Sequence, residues 1–129
     1  QLNLNMGAAN TVIINVSGDP VSFVAPPNII GGFNQANSSK ILWNLTDATQ
    51  VTVNNSFNGA LLAPGANLQV LGGGMNGTVA VMSISQQNAE IRDFTYTGFL
   101  PPVPEPSSMA LAGLAGMGLL AWKVRRRRR

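Results

Sequence analysis

Short apolar runs separated by turn-forming residues constrain the fold of this chain more than any other feature. Each run in residues 1–99 is four to seven residues long, rich in Val, Ile, Leu and Thr, and bounded by Gly, Pro, Asn or Ser. Such runs are typical of β-strands, and no part of this region keeps the 3.6-residue period of an amphipathic helix. The sequence therefore predicts an all-β body, with strands at 11–16, 21–24, 41–45, 50–54, 60–63, 68–71, 78–84 and 90–96.

An internal repeat refines this prediction. Segment 58–63, Asn-Gly-Ala-Leu-Leu-Ala, recurs in related form at 76–81 as Asn-Gly-Thr-Val-Ala-Val. The two segments are therefore 18 residues apart. The strands that precede them, at 51–53 and 68–70, are 17 residues apart, one residue fewer. A repeat of this length with two short strands per unit predicts a right-handed β-solenoid, in which each coil covers the apolar face of the coil before it. The alternative is a β-sandwich in which the two Asn-Gly pairs close ordinary hairpins.

Alternation of apolar and polar residues predicts which side chains face the core, since neighbouring residues of a strand point to opposite faces. We expect inward apolar side chains at Val51, Val53, Leu61, Leu68, Val70, Val79, Val81 and Ile91. We expect outward side chains at Gln50, Thr52 and Gln69. A shift of one residue would exchange the two sets, so the burial of Thr52 relative to Val51 and Val53 tests the register.

Missing residue types exclude several kinds of chemistry. The chain has no Cys and no His, which excludes disulfides, Cys/His zinc sites and a catalytic Ser-His or Cys-His pair. The acidic residues are too scattered for a calcium site. We expect Asp19 and Asp47 in turns or caps, and Glu90 and Asp93 on a solvated strand or turn. The sequence therefore predicts that the protein is not an enzyme and has no catalytic, cofactor-binding or metal-binding residue.

The basic residues are concentrated at the C-terminus. Six of the eight basic residues are Lys123, Arg125, Arg126, Arg127, Arg128 and Arg129. Residues 1–122 therefore carry a net charge of −3, although the whole chain carries +3. Nucleic-acid binding needs basic residues that are spread over a folded face. We therefore expect no nucleic-acid partner.

Two segments follow the body. Residues 100–108 contain four prolines, which favour an extended linker and exclude a helix or a central strand. Residues 109–129 begin with an uncharged run from Met109 to Trp122, and as a helix this run is about 21 Å long. It is shorter than the roughly 30 Å hydrocarbon core, but Lys123 can snorkel and Trp122 suits the interface. The sequence therefore predicts one short transmembrane helix, with the arginines cytoplasmic and the body outside.

The order of these parts resembles a PEP-CTERM protein-sorting signal. The three elements of that signal match the motif Pro104, Glu105 and Pro106, the span at 109–122 and the basic cluster after it. The resemblance implies an exosortase partner, a membrane-embedded cysteine transpeptidase of Gram-negative bacteria that make exopolysaccharide. It implies anchoring in the inner membrane with a periplasmic body, cleavage near the motif, and delivery to the cell surface or extracellular matrix. Glu105 is the only charge in residues 94–122, so it is the expected specificity contact.

The body resembles two kinds of bacterial surface domain. Residues 38–99 look like the choice-of-anchor A domain, an adhesive domain found upstream of several alternative C-terminal anchors. Segment 57–64, Phe-Asn-Gly-Ala-Leu-Leu-Ala-Pro, is the most specific part of this resemblance. Because such domains extend further N-terminally, we expect that Gln1 is not the natural start. The Leu-Ala-Pro and Asn-Gly-Thr-Val pattern is also similar to the solenoid of ice-binding-like surface proteins.

These resemblances imply a surface or matrix protein that adheres through its β-domain. The implied partners are the inner membrane, the exosortase and, after processing, exopolysaccharide or other surface proteins. The alternative function is a carbohydrate-binding module, for which Trp43 is the candidate stacking residue. Trp43 lies among Ile41, Leu42 and Leu45, however, and this setting favours a position in the core.

Overall fold

The computed structural model describes residues 2–23 and 29–100. In these residues the chain is almost entirely β, as predicted, and the single helix is the 3₁₀ helix Gln35–Lys40. The predicted transmembrane helix and nearly all of the predicted linker lie outside the described residues. The strands in the described ranges are β1 (Leu2–Leu4), β2 (Val12–Asn15), β3 (Val21–Phe23), β4 (Ile29–Gly31), β5 (Ile41–Asn44), β6 (Gln50–Val53), β7 (Phe57–Asn58), β8 (Ala60–Val70), β9 (Gly74–Asn76), β10 (Val79–Gln86) and β11 (Glu90–Arg92).

All strand pairings in the described ranges are parallel, unlike those of the antiparallel sandwich that was the alternative. The strands lie in stacks of hydrogen-bonded neighbours, which we call columns. The first column consists of β2, β5 and the first halves of β8 and β10. A second column stacks β3, β6 and the second halves of β8 and β10. A third column stacks β7, β9 and β11, while β1 pairs with β4. From β5 onward, each coil of the chain adds one strand segment to every column.

The spacing of the sequence repeat reappears as the register of the strands. Leu61 pairs with Val79, and Val51 pairs with Leu68, so each of these residues lies against its counterpart in the next repeat. The two Asn-Gly pairs occupy equivalent positions of successive coils and close no hairpin. The length and register of the predicted repeat are therefore confirmed.

The inward-facing side chains form one apolar core along the stacked coils. The residues predicted to point inward in the middle coils are at most 1% exposed: Val51, Val53, Leu61, Leu68 and Val70. Thr52 is less buried than Val51 and Val53, and Gln69 is exposed, so the predicted register is confirmed. Val79, Val81 and Ile91 also pack against the core but are only partly buried, because they belong to the last described coil.

One strand replaces two predicted ones. The runs at 60–63 and 68–71 belong to the continuous strand β8, which changes partner from β5 to β6 along its length. Its pairing with β10 skips residues 64–66, which lie opposite the single residue Met82. Pro64 has no N–H to donate, and it lies at this interruption of the ladder, where no donor is required.

The coil that precedes β5 is longer than the predicted repeat. β2 pairs with β5 so that Val12 lies opposite Ile41, a wider separation along the chain than that between Leu61 and Val79. The additional residues include the 3₁₀ helix, which begins after Asn34, whose Oδ1 accepts a hydrogen bond from Asn37 N–H at 3.3 Å. This helix lies in an amide- and serine-rich segment without a helical period, which explains why the sequence did not predict it.

The chain after β11 crosses back over the coils. The predicted strand at 90–96 ends at Arg92, and residues 94–99 form a return segment. Three of its backbone N–H groups donate to three different coils: Tyr96 to Thr78 Oγ1 at 3.2 Å, Thr97 to Ser39 O at 2.8 Å and Phe99 to Thr11 Oγ1 at 2.6 Å. The return segment therefore ties the coils together. It ends the first of the two units into which the chain divides, Gln1–Phe99 and Leu100–Arg129.

Candidate functional site

The outward side of the second column is built from uncharged polar side chains. Each strand of this column directs its apolar residues to the core and the alternate residues outward. The parallel register aligns one outward residue from each of four strands: Ser22, Thr52, Gln69 and Ser85. The sequence predicts the outward direction of Thr52 and Gln69, and the structure adds the two serines at the ends of the row.

A second row runs beside the first. It consists of Gln50, Asn67 and Ser83, and Ser83 Oγ donates to Asn67 Oδ1 at 2.6 Å. Strands of a sheet are about 4.8 Å apart, and alternate residues along a strand are about 6.6 Å apart. The seven side chains of the two rows therefore form a regular array of amides and hydroxyls, which we name the polar face.

A single carboxylate lies at the edge of the polar face. Asp19 Oδ2 accepts from Thr49 Oγ1 at 2.6 Å, and Asp19 Oδ1 accepts from the N–H groups of Thr49 at 2.8 Å and Gln50 at 3.2 Å. The Thr49 hydroxyl and then the Thr49 N–H lower the pKa of the Asp19 carboxyl below its ordinary value. Asp19 thus caps the backbone N–H groups at the start of β6. Asp47 lies in a turn, and both positions agree with the sequence prediction.

The polar face can hydrogen-bond to a partner without using charge. Amides and hydroxyls both donate and accept, so they match a surface that carries hydroxyl or amide groups. Because none of the seven side chains is ionised, binding through them would depend little on salt. In residues 2–23 and 29–100, no cluster of three or more His, Cys, Asp or Glu could hold a metal ion.

Trp43 lies in the core. It is 3% exposed, and its Nε1 donates to Asn58 O at 3.0 Å. Its ring is stacked on Phe33 at a centroid distance of 5.4 Å, and Phe23 and Phe57 pack around it. The indole face is therefore unavailable for stacking on a sugar, which corrects the role of glycan contact that the sequence allowed for Trp43.

The Asn residues of the repeat form an internal ladder. Asn76 Nδ2 donates to Asn58 Oδ1 at 2.9 Å, and Ser38 Oγ donates to the same oxygen at 3.3 Å. Arg92 takes the equivalent position in the last coil and donates to Asn76 Oδ1 at 3.4 Å. These amides satisfy one another at the coil corner, so the most repetitive residues of the chain serve the fold.

The carboxylates at Glu90 and Asp93 make local contacts only. Glu90 Oε2 forms an exposed ion pair with Arg92 at 2.8 Å. Asp93 Oδ1 accepts from Thr95 Oγ1 at 3.0 Å. Both are exposed, as the sequence predicts, and they do not converge on a common site.

The predicted sorting residues lie outside the described part of the chain. These are Pro104, Glu105, Pro106, Met109, Trp122, Lys123, Arg125, Arg126, Arg127, Arg128 and Arg129. In the described ranges, 2–23 and 29–100, no helix has the length and apolarity needed to cross a membrane.

The fold and the face together define a class of protein. Parallel strands are stacked coil on coil around one apolar core, and an extended array of polar side chains lies on the outside. Residues 1–93 match the family model described as "Putative Ice-binding-like adhesive domain", and the chain belongs to this family. The predicted similarity to ice-binding-like surface proteins is confirmed, whereas the match does not name the choice-of-anchor A domain.

A second match covers the C-terminal segment. Residues 102–128 match the PEP-CTERM protein-sorting motif, which confirms the predicted resemblance. This motif implies processing by an exosortase and supports export to the surface or the extracellular space. No curated protein and no solved structure matches the chain.

Proposed function

We propose that this chain is a non-enzymatic surface or extracellular-matrix protein of a Gram-negative bacterium, which adheres through its β-domain and is released to its destination by an exosortase. The observation that carries the proposal is the order of the two family matches. An adhesive domain at residues 1–93 is followed, after a short connection, by a sorting motif at 102–128. A sorting signal directly after an adhesive domain is the arrangement expected of an exported adhesin.

The proposed route follows from the charge and length of the C-terminal parts. The run at 109–122 spans the inner membrane, and the basic cluster after it stays in the cytoplasm. The body then lies in the periplasm, where the exosortase reads Glu105 between its two rigid prolines. Cleavage near this motif removes six basic residues, so the product 1–103 has a net charge of −2.

Two finer assignments belong to the same proposal. The body is a right-handed β-solenoid of the choice-of-anchor A type, supported by segment 57–64 and by a parallel register that follows the sequence repeat. Adhesion uses the polar face, supported by its regular rows and its lack of charge. The carbohydrate-binding alternative has no such support, because Trp43 is 3% exposed and Phe57 is 4% exposed.

Processing is tested by the intact mass of the chain from cells with and without the exosortase. We expect a product truncated near residues 104–106 only when the enzyme is present. Replacing Glu105 with Ala should prevent this truncation, because the linker then offers no charge for recognition. The control is Asp47→Ala, which removes an exposed carboxylate from a turn of the body and should leave processing unchanged. Identical C-termini in the two strains would contradict exosortase processing.

Adhesion through the polar face is tested on the full chain in detergent with hydroxyl-terminated monolayers. The triple variant Thr52→Ala, Gln69→Ala and Ser85→Ala removes three aligned hydrogen-bonding side chains from one row. Each lost hydrogen bond contributes about 1 kcal/mol, so we expect bound protein to fall by roughly tenfold or more.

A matched variant controls for the loss of polar side chains in general. Asn10→Ala, Ser17→Ala and Gln35→Ala replace three exposed polar residues that belong to neither row of the polar face, and binding should remain at the wild-type level. Binding should also persist at high salt, because the face carries no charge. Equal binding by the two triple variants would contradict the assignment of adhesion to this face.

A further inference from the structure

The last described coil, formed by β10 and β11, ends the core with apolar side chains that are only partly buried or exposed. Its inward residues pair with fully buried residues of the preceding coil: Val79 with Leu61, Val81 with Ala63, Ile84 with Leu68 and Ile91 with Met75. Ile84 is nevertheless 50% exposed, and Met82 at the corner is 63% exposed. The ends of stacked repeats normally carry a polar cap, and this end has an apolar one.

The strands of this coil are paired only with the preceding coil, so their other edges are unpaired among the described residues. In the described part of the chain, β10 pairs with β8 alone and β11 pairs with β9 alone. An edge of this kind offers a row of N–H and C=O groups to another strand. Strand β10 includes no charge and no proline, which are the features that usually prevent edge pairing. Both the side chains and the backbone of the last coil therefore favour a further layer of β-structure.

We propose that this layer is the same coil of a second copy of the chain, paired antiparallel about a twofold axis. The charges of β11 favour this occupant. Glu90 and Arg92 flank Ile91, so antiparallel pairing centred on Ile91 places Glu90 of each copy opposite Arg92 of the other. Parallel pairing of two β11 strands in register would instead place Glu90 beside Glu90, which is unfavourable.

Antiparallel pairing of β10 with β10 of the second copy is compatible with the same twofold axis. Antiparallel pairing centred between Met82 and Ser83 brings together residues that share a side of the sheet: Val79 with Gln86, Val81 with Ile84, Ala80 with Ser85 and Met82 with Ser83. The first two of these pairs lie on the core side. The side chain of Gln86 donates one of its two amide N–H groups to Ala89 O, so it is partly satisfied within its own coil. One axis through the Met82 corner and through Ile91 therefore pairs both strands and joins the two cores.

The absence of cysteine makes this interface testable by single-cysteine cross-linking of the full chain. Residues directly opposite in an antiparallel pair have Cα atoms about 4.5–5.5 Å apart, which a disulfide can bridge. In membranes treated with copper phenanthroline, Ile91→Cys should give mostly covalent dimers on a non-reducing gel. In this pairing Met82 lies opposite Ser83, so the two Met82 residues are diagonal neighbours with Cα atoms about 6 Å apart, which a disulfide can still bridge. Met82→Cys should therefore also cross-link, and because this position is 63% exposed the substitution leaves the core intact. The control is Leu71→Cys, at a position 37% exposed that lies on no edge strand, and this variant should stay monomeric.

Charge reversal tests whether the covalent dimers arise from this pairing or from random collision of two chains in the membrane. In the Met82→Cys background, Glu90→Arg places two arginines opposite each other at both ends of β11 and should lower the dimer yield about fivefold or more. Adding Arg92→Glu restores opposite charges and should restore the yield. A Met82→Cys dimer yield no greater than that of Leu71→Cys would overturn the proposal, whatever then covers the coil. An unchanged yield with Glu90→Arg, or no recovery in the charge-swapped variant, would overturn it as well.

Discussion

Replacing Gly77 with Ala is expected to remove most of the stability of the β-domain. A Cβ atom at this position would lie 2.1 Å from Gly59 O and 2.5 Å from Gly59 C. Both are backbone atoms of the coil on which Gly77 is stacked, so no side-chain rotation can relieve the contact. On its other side, Gly77 N–H donates to Arg92 O at 3.1 Å, which holds the residue in place. We expect a loss of about 3–5 kcal/mol, comparable to the whole stability of a small domain.

Denaturant unfolding of the full chain in detergent, followed by circular dichroism, measures this loss. Gly65→Ala is the matched control, because its Cβ would have Ala48 O at 3.7 Å as its nearest neighbour, an ordinary contact. The control should change the free energy of unfolding by less than about 0.5 kcal/mol. A Gly77→Ala variant with the unfolding midpoint of the control would show that the two coils can separate at this corner without cost.

The sequence predicts the stacking of the coils because the physical cause of stacking is periodic. Each inward residue such as Leu61 needs an apolar neighbour one coil later, and Val79 supplies it at the same spacing along the chain. The alternation of Val51, Thr52 and Val53 fixes the face of each residue for the same reason. Apolar periodicity therefore predicts both the length of the coil and the direction of its side chains.

The features that the sequence did not predict depend on contacts without a period. The return segment is held by single hydrogen bonds to distant residues, such as that from Phe99 near its end to Thr11 in the first coils. The 3₁₀ helix depends on a local cap by Asn34 and on Ser38, which is buried against Asn58. Neither contact leaves a repeating pattern, so propensity and periodicity alone cannot reveal them.

The candidate site also combines features that the sequence predicts with features that it does not. The outward direction of Thr52 and Gln69 follows from alternation, but their alignment with Ser22 and Ser85 requires the register of four strands. The burial of Trp43 depends on aromatic residues of other segments, Phe33 and Phe23. The sorting motif needs no fold for its recognition, because its signal is the order of a short motif, an apolar run and a basic cluster.

Replacing the five arginines at 125–129 with Ser is expected to disrupt anchoring and orientation while leaving the β-domain folded. The proposed span at 109–122 is short and rich in Gly and Ala, so its own insertion free energy is small. Its orientation must then depend on charge asymmetry, with six basic residues on one side and Glu105 on the other. Each basic residue near an anionic leaflet contributes about 1 kcal/mol, so the five substitutions remove about 5 kcal/mol from the membrane step.

The measurement is membrane fractionation combined with protease accessibility of the body and with the rate of C-terminal processing. The five-Ser variant should leave the inner membrane fraction or insert in mixed orientations, and its processing should slow because the linker no longer sits at the periplasmic surface. Replacing the same residues with Lys keeps every charge, so that variant should behave like the wild type if charge is the cause. A defect shared by the Lys and Ser variants would instead indicate that the guanidinium groups are recognised as such. A five-Ser variant that stays anchored, keeps its body outside and is processed at the wild-type rate would show that the cluster does not set the topology.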